Sequence, residues 1–230
     1  MCGRYSLETR SHELVEAFSL GASFAWGPRY NIAPTQPVPI VRPAESGGLR
    51  CDVVRWGLSP AWAGRLLINA RSETAASKRS FQDSFATRRC LVPATGFFEW
   101  QKLGGARQPF HIRLADRSLF AFAGIWDRTH IDGENMNAFV ILTTRPNSVM
   151  RPIHDRMPVI LRPDAWQTWL GPGGDRKPDL LEPVADSDLQ ACPVSSMVNS
   201  AANDDPACVA PLAPGEAADP GTDGESLWDL

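Results

Sequence analysis

The sequence predicts an α+β fold: a largely antiparallel, barrel-like β-sheet core with peripheral helices. Runs rich in β-branched and aromatic residues recur along the chain, and its 18 glycines and 20 prolines punctuate them at short intervals. Short punctuated runs suit antiparallel strands. Few helical segments lie between them, which argues against a doubly wound parallel sheet.

The first expected helix covers residues 11–20, with Ser11 as its cap and Leu14, Val15 and Phe18 on one face. A Gly/Pro-rich stretch then leads to Tyr30-Asn31-Ile32-Ala33-Pro34-Thr35. Strands are expected at 37–41 and 49–56, the second running into Trp56-Gly57-Leu58-Ser59-Pro60-Ala61-Trp62. Residues 68–72 are extended and lead into a helix through Phe85, which sets Phe81 and Phe85 four residues apart. Further strands are expected at 89–92, 96–100, 110–114, 119–126, 138–144, 158–161 and 193–199. A helix at 164–170, with Asp164 as cap and Trp166 and Leu170 facing inward, interrupts them. Residues 1–209 are read as one domain, and 210–230, rich in Pro, Gly, Ala and Asp, as an acidic disordered tail.

Net charge is −3, unevenly spread. Residues 1–113 carry fifteen Lys or Arg against eight Asp or Glu, whereas the last twenty carry five acids and no base. The basic half points to nucleic acid or to an ordinary solvated face. No apolar run approaches the roughly 20 residues of a membrane helix, and no basic and apolar leader opens the chain. The expectation is a monomer, cytoplasmic and nucleoid-associated, without membrane contact.

The five cysteines (Cys2, Cys51, Cys90, Cys192 and Cys208) form no Cys-x-x-Cys pair, so no metal or other cofactor is expected. Cys51, Cys90 and Cys192 sit in apolar strand-like runs and read as buried reduced thiols. Cys2 differs. Removal of Met1 would leave an α-amine and a thiol on adjacent carbons. The amine, titrating near about 7.7–8.0, can form a Schiff base with an aldehyde. The thiol can then close a thiazolidine ring. From position alone, a second-residue cysteine is usually incidental.

Three other settings bear chemistry. Asn69 and Arg71, two apart in an extended segment, share a face; they could hold an anion or sugar-phosphate, or be a turn amide and a surface arginine. Glu99, in the aromatic run Gly96-Phe97-Phe98-Glu99-Trp100, is expected to be partly buried, either for acid/base work or paired with an arginine. His154, in Ile153-His154-Asp155-Arg156-Met157-Pro158, could shuttle protons or be structural. His12, His111 and His130 read as structural or exposed.

Together these segments, in this order and spanning roughly residues 1–200, resemble the SOS response-associated peptidase (SRAP) family. The resemblance rests on Cys2 at the second position, Ile68-Asn69-Ala70-Arg71, Phe98-Glu99-Trp100 and Ile153-His154-Asp155-Arg156. It implies a sensor of abasic sites in single-stranded DNA that forms a thiazolidine crosslink. Cys2 would supply both nucleophiles. Asn69 would position the opened sugar and the amine, Glu99 would activate the amine, and His154 would protonate the ring oxygen. Arg4, Arg71, Arg79, Arg156 and Thr143 match family positions that hold phosphates, and Pro34 and Trp62 match positions beside the lesion. Ala63 stands where some relatives carry a second tryptophan. Two alternatives stay open: a thiol (auto)peptidase using Cys2, Glu99 and His154, and a non-covalent reader of modified duplex bases. The second lacks a recognition helix rich in Arg, Asn or Gln.

Overall fold

The computed structural model describes residues 2–60, 64–131, 134–173 and 178–213. Trp62 and Met1 lie outside the described residues, as does the chain from 214. The elements run β1 (Tyr5–Leu7), α1 (Ser11–Ala17), β2 (Arg29–Ile32), β3 (Pro37–Pro43), β4 (Leu49–Trp56), β5 (Asn69–Arg71), α2 (Ser72–Ala75) and α3 (Gln82–Thr87). There follow β6 (Arg89–Ala94), β7 (Gly96–Leu103), β8 (Ala106–Leu114), β9 (Phe120–Ile131) and β10 (Glu134–Thr144). β11 (Met157–Pro158), β12 (Ile160–Leu161), α4 (Pro163–Leu170) and β13 (Leu189–Pro193) complete them.

The fold is α+β, as expected. Strands β10, β4, β3, β6 and β9 close on themselves, because β9 also pairs with β10. Among the described residues, only the β10–β4 and β10–β5 pairings are parallel. Past Ile141 and Gly124, β9 and β10 diverge, and residues 157–161 fill the gap: β11 pairs with β10 and β12 with β9. Val159 binds both sides, accepting from the Ala123 amide and donating to the Leu142 carbonyl at 2.9 Å each. No strand edge is left open there.

A second sheet, in the order β13-β8-β7-β1-β2, lies against the barrel. Period-two alternation decides its two faces. Tyr5, Phe97, Ile112 and Leu114 join the main core, whereas Phe98 packs with Val194, Val198 and Cys208 in a separate small core. Tyr5 stands edge-on to Trp56 and Phe122, with centroids 5.3 and 5.6 Å apart. Gly96 has no side chain for a specific reason: a Cβ there would lie 2.1 Å from His111 Nε2. The vacated space admits the buried His111 ring, whose Nε2 is 2.9 Å from Ser6 Oγ.

The segment after β13 straps β1 and β2 in place. Asp204 accepts from the Tyr30 and Asn31 amides at 2.6 and 3.0 Å and pairs with Arg29. Buried Asn31 donates to the carbonyls of Val198, Ser200 and Asn203.

Several local expectations change. The helix at 11–20 is capped by Arg10 rather than Ser11 and ends at Ala17; Glu13 reaches back to the Arg10 amide at 2.7 Å. The helix through Phe85 breaks into α2 and α3, although Phe81 and Phe85 are both buried. Arg162 caps α4 and Pro163 opens it, so Asp164 sits inside the first turn. The strand at 193–199 stops at Pro193, because Ser195 caps a 3-10 turn over Ser196–Asn199, accepting from the Met197 amide. Cys90 is buried, but Cys51 and Cys192 are only half-buried. The body also reaches past 210, where Pro211 bridges Val194 and the Leu212 amide donates to the Pro193 carbonyl at 2.9 Å.

Candidate functional site

Cys2 enters just ahead of β1 and is fully buried. Its carbonyl accepts a 2.8 Å hydrogen bond from Asn69 Nδ2. Asn69 can reach it because β5 lies along β10, with Ile141 opposite Asn69 and Thr143 opposite Arg71. The Asn69 Oδ1 atom is buried and has no hydrogen-bond partner among the described residues. The amide therefore fixes the Cys2 backbone and keeps an acceptor in reserve.

Glu99 comes from β7, which pairs with β1 through Tyr5 and Phe97. Its side chain is 4% exposed, and burial pushes its carboxyl up to about 7. Near neutral pH it can therefore take or give a proton. His154 follows a turn after β10, in which its amide donates to the Met150 carbonyl at 2.9 Å. Its Nε2 is 3.9 Å from Glu99 Oε2. The Arg156 amide donates to Nδ1 at 3.0 Å, an arrangement that puts the neutral ring's proton on Nε2, the atom facing Glu99. Asp155 Oδ1 also lies 2.9 Å from Nδ1, a contact that instead needs the proton on Nδ1, in the other neutral tautomer or in the cation. Burial holds the His154 pKa below its usual value and so favours the neutral ring over the cation.

Burial, reinforced by the Glu99 charge, holds the Cys2 thiol well above its ordinary pKa. The resting sulfur is a protonated thiol rather than the thiolate of a cysteine hydrolase. Asn69 thus meets Cys2, and Glu99 meets His154; the Glu99 carboxylate is near enough to Cys2 to help raise its thiol pKa.

The expected phosphate-binding residues divide. Arg71 and Arg79 are exposed, and Pro34 is half-buried in the turn before β3. Arg156 is engaged: its Nη1 and Nη2 donate to the two Glu73 carboxylate oxygens at 2.6 and 2.8 Å, and Nη2 also donates to the Thr143 carbonyl at 2.6 Å. Thr143 itself is 1% exposed. Arg4 points elsewhere. It is 8% exposed, and its guanidinium donates to Asn31 Oδ1 and the Val198 carbonyl at 2.8 Å each and to the Asn199 carbonyl at 3.3 Å. Its place in this structure is a clamp between β1 and the C-terminal strap. Glu73 escaped the sequence reading, although its position two residues beyond Arg71 was a usable signal.

A sequence model of the SOS response associated peptidase (SRAP) family matches residues 1–201. The chain belongs to this family. It is 38% identical over 219 residues to the abasic site processing protein YoqW of Bacillus subtilis (strain 168), covering 90% of this chain and 97% of that one. It is 35% identical to the Escherichia coli (strain K12) abasic site processing protein YedK, over 74% and 79% of the two chains. Among vertebrate SRAP relatives, the Xenopus tropicalis abasic site processing protein HMCES is 30% identical, over 84% of this chain and 68% of its own. A crystal structure of a Bacteroides thetaiotaomicron protein has the same fold, with a TM-score of 0.79 and 26% identity, covering 92% of this chain and all of that one.

Proposed function

We propose that this protein processes abasic sites in single-stranded DNA by forming a thiazolidine through Cys2, once Met1 has been removed. The observation that carries this reading is the convergence around buried Cys2 of Asn69 on its carbonyl and the Glu99–His154 pair. The names of the relatives, abasic site processing proteins, support the same class of substrate.

The chemistry follows from the groups present. The protonated form of His154 gives its Nε2 proton to the sugar ring oxygen while Glu99 takes the anomeric hydroxyl proton, which opens the ring to the aldehyde, and Glu99 then returns that proton to His154. The Cys2 amine adds to the carbonyl carbon and passes one N–H proton to its oxygen; Glu99 relays the second to the resulting hydroxyl, and one water leaves to give the imine. The thiol then adds across the C=N bond, its proton passing to nitrogen with Glu99 as relay, and the five-membered ring closes. The raised thiol pKa orders these steps: amine first, sulfur second. It also weighs against a thiol peptidase, which needs a resting thiolate. Arg71 and Arg79 supply exposed positive charge for the strand.

Incubation with an abasic single-stranded oligonucleotide, followed by denaturing electrophoresis, tests the reading. A heat-stable adduct is expected from the parent chain and none from Cys2→Ala. An adduct of undiminished yield from Cys2→Ala would overturn it.

A further inference from the structure

Arg156 carries two attachments that pull in different directions. Its backbone N–H holds the site histidine, while its guanidinium is forked onto Glu73. The Arg156 side chain is 14% exposed and that of Glu73 is 49% exposed, so the carboxylate covers the guanidinium from the solvent side. Glu73 stands in the first turn of α2, directly after the strand that carries Asn69 and Arg71. Two parallel N–H···O bonds to one carboxylate have the geometry an arginine uses for a phosphate. A phosphate arriving at Arg156 therefore exchanges one oxyanion for another instead of meeting a bare cation.

We propose that Glu73 is an internal competitor for the phosphate that Arg156 would hold, and that it lowers the protein's affinity for undamaged single strands. The proposal rests on the reading of this face as a single-strand binding site. The Glu73 side chain, 49% exposed, has room on its solvent side to swing away from the guanidinium when a phosphate takes its place. Intact and abasic strands meet the same competition. An abasic strand alone offers the aldehyde, which Cys2 captures irrespective of the carboxylate. Glu73 thus keeps the protein from occupying undamaged DNA, while lesions are retained by a covalent bond.

Fluorescence anisotropy with an undamaged oligonucleotide across a salt series tests this on the full chain. Glu73→Gln keeps the side-chain shape and removes the charge, and it should bind about two- to fivefold tighter than the parent. Its plot of log affinity against log salt should steepen by about 0.7, the increment for one more phosphate contact on a single strand. In an Arg156→Gln background, the gain from Glu73→Gln should vanish. Equal or weaker binding by Glu73→Gln overturns the proposal, as does an undiminished gain in the Arg156→Gln background. Thermal melts of each variant show whether a loss of binding comes from unfolding, and Glu73→Ala supplies a second removal of the same charge. Adduct formation by the parent with an abasic oligonucleotide, run alongside, separates the two ideas. Its absence defeats the underlying reading; its presence with unchanged Glu73→Gln affinity defeats only this one.

Discussion

Arg4→Ala removes a guanidinium that is 8% exposed and donates to Asn31 Oδ1, the Val198 carbonyl and the Asn199 carbonyl. Each hydrogen bond from a charged donor is worth about 1.5–3 kcal/mol, and a buried acceptor left without a partner costs about 1–3 kcal/mol. These contributions overlap, because Asn31 and Val198 belong to one network. A net loss of about 3–5 kcal/mol is therefore expected. Urea unfolding followed by tryptophan fluorescence would read it directly. A thermal melt should fall by about 6–20 °C, at about 2–4 °C per kcal/mol for a chain of this size. If Arg4 were instead a phosphate ligand, Arg4→Ala would change stability by less than about 1 kcal/mol and reduce the salt slope of single-strand binding by about 0.7. That result would refute the clamp. Arg4→Lys should recover little, since one ammonium cannot span three separated acceptors.

Three other perturbations follow from the same geometry. Burial raises the folded-state pKa of Glu99, so its stabilising contribution is full below the unfolded value near about 4.3 and declines as pH rises through about 7. Glu99→Gln lacks this decline; its unfolding free energy relative to the parent should rise across that window by up to about 4 kcal/mol, measured by urea titration at each pH. Gly96→Ala drives a Cβ to 2.1 Å from His111 Nε2 and should cost at least about 2 kcal/mol, with partial recovery in the Gly96→Ala/His111→Ala double variant. Asn69→Ala releases the Cys2 carbonyl and should slow adduct formation about 10- to 100-fold in single-turnover assays, with little change in affinity for undamaged DNA.

The barrel was legible because its strands are long and bounded by turn residues. β4 begins and ends at the expected residues 49 and 56, and β7 begins at Gly96 as read. β1 and β2 were not legible as strands: they have three and four residues, too few for a period-two pattern to emerge from a Gly/Pro-rich context. The break between α2 and α3 escaped because the buried Phe81 and Phe85 satisfy a helical spacing without a continuous helix. At the site, Cys2, Asn69, Glu99 and His154 stood out by their local settings, and the resemblance to a family supplied their roles. Their meeting depends on β1 lying beside β7 and on β5 following β10, contacts that local patterning cannot specify. Arg4 shows the same gap. Its partners lie 27 and nearly 200 residues away, so the resemblance put it among the phosphate contacts whereas its burial makes it a clamp. Pro34, Thr143 and Arg79 keep the phosphate or lesion contacts implied by resemblance only as proposals, with Arg79 the most accessible of the three.

The most direct test is intact mass spectrometry of the purified chain before and after incubation with an abasic single-stranded oligonucleotide, with and without borohydride. The account predicts a chain lacking Met1 that gains the mass of the oligonucleotide less one water and takes up no hydrogen from borohydride, because the thiazolidine has no C=N bond to reduce. Cys2→Ser should give an adduct stabilised only when borohydride is present. A parent chain that lacks Met1 yet gains no mass, or whose adduct is an imine reduced as readily as that of Cys2→Ser, would contradict the pairing of amine and thiol at Cys2.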